Sequence, residues 1–74
     1  MQHDFEAPAT VLWYPDEEDA PESWDGAVDF PTLREALESI VNGTPQTGHP
    51  WVRCGERIFT PHEVEDLWRE ERML

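Results

Sequence analysis

The sequence predicts a small α+β domain of ββαββα order, a four-stranded, mainly antiparallel sheet with two helices on one face. Three observations predict it. Two segments carry apolar residues at helical spacing behind a threonine cap. Each follows a pair of short β-branched or aromatic runs separated by turn residues. The chain has 74 residues, enough for one domain near the lower limit for a self-sufficient core.

Taken in order, residues 1–8 show no periodic pattern and are read as a flexible N-terminal tail, which leaves 9–74 as the domain. Ala9 to Tyr14 is the first strand, β-branched and aromatic, and Pro15 ends it. Asp25-Gly26 turns the chain into a shorter strand, Ala27 to Phe30. Leu33, Ala36, Leu37, Ile40 and Val41 then lie on one helical face, with a capping box from Thr32 and Glu35 and a stop at Asn42-Gly43. Thr44 to Pro50 reads as an irregular connection. Trp51 to Cys54 and Arg57 to Thr60 form a hairpin about Gly55-Glu56. Thr60, Pro61 and Glu63 open the last helix as N-cap, first helical residue and capping-box partner. Phe59 stands ready to staple Val64, and Val64, Leu67 and Trp68 give that helix a short apolar stripe. Thr32-x-x-Glu35 and Thr60-x-x-Glu63 form a faint internal repeat that shared capping rules explain.

Strand alternation puts apolar groups on both faces of the sheet. A two-residue turn pairs Val52 with Phe59 and Arg53 with Ile58, so Val52 and Phe59 share one face and Trp51 and Ile58 the other. In the first strand Val11 and Trp13 oppose Leu12 and Tyr14. Helices covering one face leave the other, with Trp13 or Tyr14, Trp51 and Ile58, as an expected interface for a homodimer or a partner.

The formal charge is −12, and it is uneven. Through Leu33 there are nine acids and no Arg or Lys; from Arg34 onward five Arg face eight acids. Such a field repels nucleic acid and anionic membrane and attracts basic proteins or cations. Asp16, Glu17, Glu18, Asp19, Glu22 and Asp25 crowd one segment together with Trp24. An extended chain would space such carboxylates at about 3.3 Å per residue, close to the roughly 3.4 Å per phosphate of a DNA strand. The competing readings are a solvated linker that needs only polarity and turns, and a surface that occupies a groove built for phosphates.

Chemistry-bearing motifs are sparse. Cys54 is the sole cysteine, so an intramolecular disulfide is excluded and a reducing compartment fits. As a nucleophile it would need a base, and His49 is the nearest histidine in sequence; a small apolar strand residue is the commoner role. His3, His49 and His62 lack metal-ligand spacing. Asp16-Glu-Glu-Asp19 lacks the alternation and glycine of a calcium loop. Phosphate loop, nucleophile elbow and HExxH are missing, so neither enzyme nor cofactor is expected. The start of the chain has no basic region followed by an apolar run, and no apolar stretch approaches the ~20 residues of a membrane helix. A cytoplasmic protein is the expectation.

The segment Pro50-Trp-Val-Arg-Cys-Gly-Glu-Arg-Ile-Phe-Thr-Pro-His-Glu-Val-Glu-Asp-Leu-Trp68 resembles a pattern of small uncharacterised bacterial proteins, in which a short hairpin leads through a Thr-Pro cap into a terminal helix. In overall profile, being tiny, very acidic and free of catalytic motifs, the chain is similar to phage-encoded inhibitors of the anti-CRISPR type. That likeness implies a non-enzymatic protein engaging a basic surface on a nucleic-acid-binding partner, with no nucleic acid bound directly. Asp16, Glu17, Glu18, Asp19, Glu22 and Asp25 would neutralise its cations and Trp24 would anchor. The alternative is an interaction module that dimerises or docks through the aromatic sheet face.

Overall fold

The structure, a computed structural model, describes residues 5–43 and 47–73. The elements are β1 (Ala9–Tyr14), β2 (Val28–Phe30), α1 (Leu33–Asn42), β3 (His49–Cys54), β4 (Arg57–Phe59) and α2 (Pro61–Arg72). The four strands form one antiparallel sheet in the order β2-β1-β3-β4, so the ββαββα expectation holds. β1 is central because it pairs with both β2 and β3, and the two short strands take the edges. The sheet thus presents little open strand edge.

Register decides the faces. Val11 pairs with Val52 and Val52 with Phe59, which places these three side by side across the sheet. Against them pack Leu33, Ala36 and Leu37 of α1 and Val64 and Leu67 of α2, one core beneath both helices. Leu12 pairs with Trp51, and Arg53 with Ile58, on the opposite face.

Both helix starts behave as their caps dictate, with one difference. Thr60 and Glu63 form a complete capping box: each accepts from the other's backbone N–H. At α1 the box is only half made. Thr32 Oγ1 accepts from the Glu35 N–H, but the Glu35 carboxylate accepts from the Thr32 hydroxyl rather than from the Thr32 amide. The hairpin turn is tight, with Gly55 at φ +64° followed by Glu56 at negative φ, the pattern of a type II′ turn. Gly48, at φ +102°, passes so close to the Tyr14 backbone that a Cβ would lie 2.7 Å from the Tyr14 carbonyl oxygen. That approach lets β3 start pairing at His49, two residues earlier than the sequence pattern suggests. Of the expected irregular connection, residues 44–46 lie outside the described residues.

The tail requires a correction. Residues 1–4 lie outside the described residues, but Phe5 is only 4% exposed and belongs to the core. The first amides of a helix have no partner within it. Here the Leu33 N–H donates to the Ala7 carbonyl at 2.7 Å and the Arg34 N–H to the Phe5 carbonyl at 3.0 Å. The Arg34 guanidinium bridges Glu6 and, at 3.0 Å, Glu71, tying this segment to both helices. Residues 5–8 are therefore docked structure, held by one buried aromatic and two backbone hydrogen bonds.

Candidate functional site

The acidic segment, residues 15–27, connects β1 to β2 across the helix-free face of the sheet. Its first anchor is Trp51, whose indole Nε1–H donates to the Asp16 carbonyl oxygen at 2.7 Å while its ring is 1% exposed. The second is Arg53, whose guanidinium carbon sits 4.9 Å from the Trp24 ring centroid, a cation–π stack. Pro21 between them is buried. Leu12, on the same face, is left 9% exposed. The aromatic face expected to be open is thus covered from within the chain, because a turn-rich segment carrying Pro21 and Trp24 has apolar surface of its own to bury.

This placement corrects the expected sheet-face interface. Trp51 lies beneath the loop. Trp13 packs on the opposite, helix-covered side against the core, as the alternation of β1 requires. Tyr14, half-buried beside His49, and Ile58, exposed on the edge strand β4, remain on the loop side without forming an aromatic patch. Trp24, read from the sequence either as a partner anchor or as a ring folded back onto the domain, has one ring face occupied by Arg53.

The loop has internal order. Asp16 Oδ1 accepts from the backbone N–H groups of Glu18 at 2.8 Å and Asp19 at 3.1 Å, an Asx turn that bends the chain at 17–19. Those two amides, Glu18 first, hold the Asp16 carboxyl below its ordinary value of 3.8. Farther on, Ser23 Oγ accepts from the Asp25 N–H, and the Ala27 N–H closes a turn on the Trp24 carbonyl with Gly26 at φ +84°. The bends mean that the carboxylates do not follow the extended pitch of a phosphate row. They lie instead on a folded loop, with Asp16, Glu17 and Glu18 lining one shallow hollow.

Glu17, Glu18, Asp19, Glu22 and Asp25 are all exposed. Among the described residues none is in an ion pair with an arginine; Glu17 alone has a basic neighbour, His49 Nδ1 at 3.7 Å. The arginines have other partners: Arg34 is with Glu6 and Glu71, Arg57 on Phe59, Arg69 near Asp66 and Arg72 above Trp68, while Arg53 meets the loop through the Trp24 ring rather than through a carboxylate. The negative field of the loop is consequently not cancelled from within.

Cys54 and His49 end opposite termini of β3, five residues apart and on opposite sheet faces, so they do not form a nucleophile–base pair. Among the described residues no three His, Cys, Asp or Glu side chains converge as metal ligands, and no helix is long and apolar enough to cross a membrane. Sequence reasoning missed Phe5, the Arg34 bridge and the Arg53–Trp24 stack. Phe5 alone had a local signal, as a large apolar residue in a domain too small to leave one idle.

Compared with protein-family models, curated proteins and solved structures, the chain shows no significant match.

Proposed function

We propose that this chain is a non-enzymatic acidic binding protein whose residues 17–25 engage a basic surface on a protein partner. Competition for the cationic groove of a nucleic-acid-binding protein is the form of inhibition such a charge distribution suits. The observation that carries this reading is a cluster of five exposed carboxylates without arginine partners, on a loop latched at Trp51 and Trp24. A latched loop loses less conformational entropy on binding than a free one, so more of the electrostatic attraction remains as affinity. Asp16 has a different role, since its carboxylate holds the Asx turn and its carbonyl the Trp51 latch. Trp24 contributes as the pin that fixes the loop. Mimicry of nucleic acid is then of charge density rather than of phosphate spacing.

The test is capture by the immobilised protein from lysate of the source cell over a salt series, beside the variant Glu18→Gln, Asp19→Asn, Glu22→Gln, Asp25→Asn. Screening acts within about 8–10 Å at moderate salt, so the captured protein should be basic and released as salt rises. The variant, with Asp16 intact, should fold with equal or greater stability, because like charges have been removed, and should capture nothing. Undiminished capture by the folded variant refutes the reading.

A further inference from the structure

We propose that the groove between α1 and α2 receives a bulky apolar side chain of a basic peptide segment, whose flanking arginines or lysines are held by Glu17, Glu18 and Asp19. This rests on the acidic-surface reading above and deepens it by naming the partner's chemistry. The groove encloses about 470 Å³, within the span of pockets that bind ligands. Its walls are Ile40, Val41, Pro61 and Trp68, and its floor is the buried pair Leu37 and Val64. Val41 is 49% exposed there, although it lies on the otherwise apolar side of its helix. Such an apolar concavity gains free energy when an apolar group displaces its water.

Charge selects the occupant. Glu17 and His49 line both this groove and the shallow hollow beside it that contains Tyr14, Asp16 and Glu18. A chain leaving the groove on that side therefore runs directly onto the acidic loop. Glu65 adds a further carboxylate to the rim, while His49, His62 and Arg69 are its basic members, His49 lying 3.7 Å from Glu17 and Arg69 3.8 Å from Asp66. With a net charge of −12, a second copy of the chain is repelled and an acidic peptide likewise. A cationic segment with an apolar centre satisfies both surfaces at once.

Two fluorescein-labelled peptides of equal charge test this by anisotropy at low salt. Both are arginine-rich; one has a central leucine pair and the other a central serine pair. The leucine peptide should bind about tenfold more tightly, the effect of burying roughly one aliphatic side chain. Val41→Gln, at an exposed helix position, should erase that difference while leaving the serine peptide's affinity unchanged; its thermal melt confirms the fold. Equal binding of the two peptides overturns the groove assignment alone. Binding that does not weaken as salt rises overturns the acidic-surface reading, and failure of both peptides to bind overturns both. A dimer of the free protein dissolved by Val41→Gln would put a second copy in the groove and overturn the proposal.

Discussion

Replacing Trp51 by Phe probes the latch that seats the acidic loop. The indole is 1% exposed and donates through Nε1 to the Asp16 carbonyl at 2.7 Å. Truncating a buried Trp to Ala costs about 3–5 kcal/mol; Phe keeps most of the ring, so its share is about 1–2 kcal/mol. The lost hydrogen bond adds about 0.5–1.5 kcal/mol, at the lower end because Asp16 is only partly buried and its carbonyl can regain water. The expected loss is about 2 kcal/mol, against about 4–11 kcal/mol of total stability for a chain of this length. The melting temperature should fall by about 10 °C. Urea denaturation gives the stability change, and amide exchange localises it. The Glu18 and Asp19 amides, held by the Asp16 side chain, should lose protection before those of β1 and β3. A midpoint shift equivalent to less than about 0.5 kcal/mol, with loop exchange unchanged, would refute the latch. Trp51→Glu should abolish folding, because a carboxylate at this buried site finds no partner.

Phe5→Ala should destabilise the domain by about 3–5 kcal/mol, as for any fully buried Phe; a denaturation midpoint equal to wild type would show the N-terminal segment to be a dispensable tail. Acid provides a second check on the loop. The Asp16 carboxyl titrates below 3.8 in the folded state, so its contribution is present above that value and is lost as pH falls through the lower folded value. Carboxyl titration followed by NMR should place Asp16 below its ordinary value of 3.8, and the Glu18 and Asp19 amide signals should shift with it. If those amides follow another carboxylate, the Asx turn is misassigned.

Both helices, their caps and the second hairpin were legible in the sequence because they depend on neighbours a few residues apart. Thr60 and Glu63 satisfy each other's backbone N–H groups, and Pro61 has none to satisfy, without reference to the rest of the chain. Val52 and Phe59 face each other because a two-residue turn leaves no other register. The acidic cluster was equally plain, since charge is additive along a chain. What the sequence could not convey was which surface each segment would meet. Period-two alternation showed apolar residues on both sheet faces, yet it carries no information on what lies above either one. The tertiary structure resolved that by folding residues 15–27 over Trp51, the indole and its acceptor standing 35 positions apart in the sequence. It likewise drew Phe5 beneath α1, where the unpaired amides of Leu33 and Arg34 required carbonyls that their own helix lacks. Local rules determined the elements; the need to bury aromatic surface and to satisfy stranded backbone groups, met only by residues far apart in sequence, determined how a linker became a lid.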